Sequence, residues 1–128
     1  MASSYELKVE QILKKVGVKY EKEVPIKQLH GKSLVPLRFD FKVYRYNGHY
    51  FFIEVDGEYH FKPIRGKLLY QRQKAYDGKK DAYCLSHNIR LVRIPYWEIP
   101  NLTWEKIVNT PYFVVREKYH NNFLTPPY

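Results

Sequence analysis

One cysteine, Cys84, is all the thiol that this chain of 128 residues contains. An intrachain disulfide is therefore excluded, as is a structural zinc site built from several thiolates. Long apolar runs are missing too. Nothing approaches the ~18–20 apolar residues of a membrane span, and the opening Met1-Ala2-Ser3-Ser4-Tyr5-Glu6 lacks the apolar run of a signal peptide. A soluble, intracellular (cytoplasmic) protein is expected. Acidic residues are scarce beside basic ones, 13 against 22, for a formal charge of +9. That balance suggests a polyanion partner, most often nucleic acid; solubility or an acidic protein partner is the plainer alternative. Internal repeats and clear linkers are absent, so 1–128 reads as one domain, with a core over about 3–110 and a C-terminal tail over 111–128. Disorder is disfavoured by 45% apolar and 17% aromatic content.

The most informative stretch is Ile53-Glu54-Val55-Asp56-Gly57-Glu58-Tyr59-His60. It starts as an apolar strand and then carries three carboxylates and a histidine. Desolvating an unpaired carboxylate costs several kcal/mol, so acids at a strand end need a cation or a metal ion beside them.

Asn47-Gly48 is a strong turn signal, and it predicts a hairpin of strands over 37–46 and 49–55. Its register follows from the apolar pattern. A two-residue loop would set Phe41 against Glu54. A three-residue loop, Tyr46-Asn47-Gly48, pairs Arg45 with His49 and sets Phe39 against Val55, Phe41 against Ile53 and Val43 against Phe51. One face is then wholly apolar, and because a one-residue slip turns every side chain over, the second register is selected. Asp40 consequently faces Glu54 on the other face, with Asp56 one step along. Directly opposed residues have Cβ atoms ~4.5–5.5 Å apart. Like charges that close require a cation between them or a retained proton. A divalent ion is favoured over neutralisation by Arg38 or Lys42, because the acids cluster at one strand end.

The other elements frame this hairpin. Tyr5, Val9, Ile12, Leu13 and Val16 form one apolar stripe of a helix over 3–16 that ends at Gly17. Glu6 lies beside the stripe; Ser3-x-x-Glu6 is also a capping box, and spacing alone favours the cap. A strand is expected over 18–24, stopping before Pro25, then a basic polar loop over 27–35. A long helix is expected over 68–88, where Leu68, Ala75 and Ala82 repeat at seven and Gly78 invites a kink. Asp77 and Lys80 share a face with Cys84; a surface ion pair worth little is the plain reading. Asn88 reads as a left-handed helix stop, followed by a strand over 89–94 and a last helix over 97–110, which Thr103 could cap. The tail of Tyr, Phe and Pro could wrap the core, pair with a partner chain or grip DNA.

This order, with Phe39-Asp40-Phe41, the string from Ile53 to Phe61, Asp77-Gly78-Lys79-Lys80-Asp81-Ala82-Tyr83-Cys84, and Ile89-Arg90-Leu91-Val92-Arg93-Ile94-Pro95-Tyr96, resembles the PD-(D/E)XK nuclease superfamily. Within it, the chain is similar to the very-short-patch-repair-like group and the EDxHD homing endonucleases of phages. The resemblance implies a restriction-endonuclease-like α/β fold, an αβββαβ core with a mixed central sheet flanked by helices. It implies a metal-dependent DNA endonuclease of a phage or mobile element, acting in the host cell with Mg²⁺ or Mn²⁺ on DNA, mainly double-stranded. Such an enzyme nicks one strand or cuts both as a homodimer. Glu6 would be the helix acid, Asp40 and Glu54 the metal-binding acids, His60 the group that positions or deprotonates water, and Asp77 the final acid with Lys80 near the scissile phosphate. The superfamily's usual strand lysine is here Asp56, either a further metal ligand or a residue that orients a neighbour. Holliday-junction resolution, or nucleic-acid binding without chemistry, are the alternative functions.

Overall fold

The β2–β3 hairpin takes the register that the apolar pattern selects. In the computed structural model, which describes residues 3–31 and 33–109, β2 (Pro36–Tyr44) pairs antiparallel with β3 (Tyr50–Asp56) through Phe41↔Ile53, Lys42↔Phe52, Val43↔Phe51 and Tyr44↔Tyr50. The Arg45 N–H donates to the His49 carbonyl at 2.7 Å and closes the three-residue loop. Asn47 and Gly48 both hold positive φ, 59° and 75°, which is why these two residue types occupy the turn.

A mixed four-stranded sheet runs β1-β2-β3-β4 and is flanked by helices. The edge strand β1 (Tyr20–His30) is antiparallel to β2, and β4 (Leu91–Pro95) is parallel to β3. The parallel pair needs a crossover, which α2 (Lys67–Ser86) provides. Helix α1 (Ser4–Val16) precedes the sheet and α3 (Trp104–Asn109) follows it. No helix among the described residues is long and apolar enough to cross a membrane.

Strand alternation divides the core between the two faces. Phe51, Ile53 and Val55 of β3 join Val92 and Ile94 of β4, together with Val9 and Leu13 of α1, in the larger cluster. Phe52 and Leu91 belong with Cys84 of α2 in the smaller one. Glu54, Asp56 and Arg93 therefore fall on the α2 face of the sheet, where they are buried.

Five expectations need correction. Phe39 does not join the face of Phe41; it stacks on Phe52 at 4.2 Å, in the smaller cluster. Past Phe41 the facing carboxylates take up backbone amides, as described below, and the strict alternation of β2 ends there. Strand β1 continues through Pro25 to His30, because an edge strand tolerates a residue without an N–H; part of the expected polar loop is thus strand. Helix α2 runs unbroken through Gly78. Its repeat of Leu68, Ala75 and Ala82 faces solvent, and the buried stripe is Asp77, Lys80, Asp81 and Cys84. The expected last helix is divided: Tyr96–Asn101 is a 3₁₀ segment containing Pro100, Leu102 is extended, and α3 starts only after Thr103, whose Oγ1 accepts the Lys106 N–H at 3.2 Å. Asn88 does take the left-handed conformation, at φ 55°. The tail over 111–128 lies outside the described residues.

Candidate active site

Asp40 and Glu54 hold each other's strands. The Asp40 N–H donates to Glu54 Oε1 at 2.8 Å, and the Val55 N–H donates to Asp40 Oδ2 at 2.7 Å. Each carboxylate thereby replaces a ladder carbonyl, and the two acids are wedged side by side where the strands part. The like-charge problem posed by the register is answered from α2. Lys80 Nζ donates to Glu54 Oε2 at 2.9 Å in a largely buried pair. Burial opposes charge on Lys80, but Glu54 and Asp40 outweigh it and hold the ammonium above its ordinary pKa. Lys80 is thus a fixed positive charge, not a base. Asp40 is pushed well above the usual carboxylate range by burial first and by Glu54 second.

These residues line an open cavity of about 480 Å³ together with Glu6, Tyr59, His60 and Tyr76. Glu6 reaches it from α1 while serving as a cap: its N–H donates to Ser3 Oγ at 3.1 Å, and Ser3 Oγ donates back to Glu6 Oε2 at 3.2 Å. Glu6 thus takes part in the cap and also lines the cavity. Burial and the neighbouring Glu23 raise its pKa. The Tyr59 hydroxyl is pushed up to about 12 by burial and by Asp40, Glu54 and Asp56, so it stays protonated.

His60 comes from the 3₁₀ turn Glu58–His60, directly after β3. Its Nδ1 lies 3.0 Å from Asp77 Oδ2 and 3.4 Å from Asp56 Oδ1. Facing two carboxylates, Nδ1 is the ring nitrogen that the geometry suits to carry a hydrogen. Asp77 is not among the residues that line the cavity; it also accepts from Gln73 Nε2 at 3.0 Å and lies behind His60.

Behind this layer lies a fully buried arginine. Arg93 Nε donates to Asp81 Oδ1 at 2.7 Å, Nη1 to Asp56 Oδ1 at 2.9 Å, and Nη2 to the Asp77 carbonyl at 3.2 Å. Burial disfavours its charge, yet Asp56, Asp77 and Asp81 more than offset this and keep it firmly protonated.

Among the described residues, two groups of acids and histidine have ligand atoms within 4.8 Å of one another: Glu6, Glu23 and Asp40, and separately Asp56, His60 and Asp77. The second already has a cation, since Arg93 bonds Asp56 and approaches Asp77 Oδ1 at 3.7 Å. The first is an all-oxygen set beside the cavity, the donor chemistry that suits Mg²⁺ or Mn²⁺. Asp40 and Glu54 stay adjacent, whereas Asp56 is committed to Arg93 and His60.

Glu23, Asp81 and Arg93 were given no role by the sequence reading. An arginine inside Leu-Val-Arg-Ile-Pro carried a usable signal, because a charge in an apolar strand requires buried partners. Glu23 carried none; its φ of 53° is visible only in the structure. Cys84 is buried, with its thiol pushed up to about 12 by burial, and so is not a nucleophile.

Removing the Lys80 charge tests the acid pair. Lys80→Met should lower unfolding stability by ~3 kcal/mol at neutral pH, since breaking a buried pair strands its partner. Urea denaturation measures this, and a loss of a few tenths would mean that solvent screens Glu54.

No family model, curated protein or solved structure matches the chain.

Proposed function

We propose that this protein is a divalent-metal-dependent DNA endonuclease of the PD-(D/E)XK type. The observation that carries the reading is the cavity where Asp40, Glu54, Lys80 and the Asp77-oriented His60 converge. Glu6, Glu23 and Asp40, with Glu54 adjacent, are the residues that would hold the metal ion. When bound, Mg²⁺ or Mn²⁺ would supply Lewis acidity toward a phosphate oxygen and an acidified water. The chain's own groups do the rest. His60 accepts the proton of the attacking water at Nε2, and Asp77 fixes the ring and stabilises the imidazolium. Lys80 places a permanent positive charge beside the acids, where negative charge develops on the phosphate. It takes the part that the superfamily assigns to a strand lysine, which here is Asp56. The formal charge of +9 favours a polyanionic substrate and a strong salt dependence of binding.

The experiment is cleavage of supercoiled plasmid, linear duplex, single strands and four-way junctions with Mg²⁺ or Mn²⁺. Metal-dependent nicking or cutting of duplex is expected. Preference for the junction would make the protein a resolvase, and no cleavage of any substrate would reduce it to a nucleic-acid-binding protein. His60→Ala should slow cleavage by ~10²–10⁴-fold, the usual worth of a general base, with DNA affinity retained. Wild-type rates in that variant would remove His60 from the chemistry.

A further inference from the structure

The acid-lined cavity has a neighbour of opposite character. Tyr59, Gln73 and Tyr76 line both it and a second, open cavity over the start of α2. Three tyrosines wall it, Tyr59, Tyr70 and Tyr76, and its charged lining is Lys62, Arg65 and Arg72, with no acid among them.

The walls are held in place. The Tyr76 ring rests on Gly31, where an added Cβ would come within 2.5 Å of it. The Tyr70 hydroxyl donates to the Phe61 carbonyl at 3.1 Å. Arg65 lies over the Tyr59 ring at 4.7 Å. Against these settled partners, one donor is left over: Arg72 Nε–H is buried and has no hydrogen-bond partner among the described residues. A buried guanidinium donor left unmade is costly, and an anionic oxygen is its natural acceptor.

From the tyrosine walls, the cationic lining and the orphaned Arg72 donor, we infer that this cavity binds one unstacked nucleotide of the DNA strand. Its base stacks against Tyr70 and its neighbours, and its phosphate is held by Arg72 with Lys62 and Arg65. Aromatic faces accept any base, so the contact is indifferent to sequence. With a metal ion on the acids the scissile phosphate would sit in the first cavity, and the tyrosine cavity beside it would hold a neighbouring nucleotide of the same strand. The inference builds on the endonuclease reading, yet it concerns binding and is tested without metal.

The test is fluorescence anisotropy in EDTA at fixed moderate salt. It compares a labelled single-stranded oligonucleotide with one of equal length and charge whose bases are replaced by abasic sites. The full protein should bind the normal strand about tenfold more tightly, the scale of a base–aromatic stack. Arg72→Gln should weaken both strands several-fold, and Tyr70→Leu should abolish the preference. Equal binding of the two strands, an unaltered preference in Tyr70→Leu, or wild-type affinities in Arg72→Gln would each overturn the inference. Should Tyr70→Leu not fold, the abasic comparison and Arg72→Gln decide alone. Absence of cleavage with Mg²⁺ while these binding effects persist would sink the endonuclease reading and leave the nucleotide site standing.

Discussion

Asp40→Asn should yield a protein that folds more stably than wild type without metal and barely cleaves DNA. The two effects have one origin. Burial and the facing Glu54 push the Asp40 carboxyl well above its usual range, so its ionised form opposes folding at neutral pH. Asparagine is nearly isosteric and can still accept the Val55 N–H that Asp40 Oδ2 accepts at 2.7 Å. It removes the charge and keeps the strand contact, so a gain of ~1–2 kcal/mol is expected, within the span of single-site effects. The sign with pH follows. A carboxyl whose folded pKa is raised binds its proton more tightly in the fold than in the unfolded chain. Its favourable contribution is full below the unfolded pKa and is lost as pH rises through the folded one. The advantage of Asn over Asp should accordingly be largest at neutral pH and shrink toward pH 4, as urea titrations at several pH values would read. Activity should fall because a neutral amide is a far poorer partner for a divalent cation. Several kcal/mol of transition-state stabilisation corresponds to a loss of roughly 10³-fold. A variant that cuts at the wild-type rate would exclude Asp40 from the site, and one that loses stability would show that its carboxylate is a structural acceptor.

The opposition of Asp40 and Glu54 could be read from the sequence because one constraint decided it. Phe41 had to face Ile53, and a hairpin loop has few lengths to choose from. The same logic misplaced Phe39, since period-two alternation assumes a backbone ladder, and here the carboxylates of Asp40 and Glu54 take over its amides. Helix α2 failed for a related reason. Periodicity arguments look for an apolar stripe, and the repeat of Leu68, Ala75 and Ala82 supplied one that faces solvent. Most of the buried face of α2 is charged, because Asp77, Lys80 and Asp81 meet Glu54, His60 and Arg93, and only Cys84 beside them packs on the apolar Phe39, Phe52 and Leu91. Glu6 divided two readings that need not compete: a side chain at the third helical position can satisfy a cap and still reach a cavity. What stayed illegible was chiefly partnership. Nothing local says that Lys80 belongs to Glu54, 26 positions away in sequence, or that Arg93 belongs to Asp56, 37 positions away.

That last partnership carries the largest expected effect on folding. Arg93→Met should destabilise the protein by ~3–5 kcal/mol, out of a total that for such domains is ~5–15 kcal/mol. Asp56 and Asp77 are wholly buried and Asp81 nearly so. Without the guanidinium, these buried carboxylates face one another with their principal counter-charge removed. Arg93→Lys should recover only part of the loss. An ammonium carries one compact charge, whereas the guanidinium reaches Asp81 from Nε, Asp56 from Nη1 and the Asp77 carbonyl from Nη2. The decisive comparison is the triple change Arg93→Met, Asp56→Asn and Asp81→Asn. It removes two buried negative charges along with the positive one, and by the behaviour of buried ion networks it should regain most of the stability lost by Arg93→Met. Urea denaturation of the wild type, Arg93→Met, Arg93→Lys and the triple variant reads all four. If the triple variant is no more stable than Arg93→Met, the cost lies in lost packing around Arg93 and not in stranded charge. If it recovers, Asp77 and His60 are also back in place, and the variant should show measurable cleavage where Arg93→Met shows none.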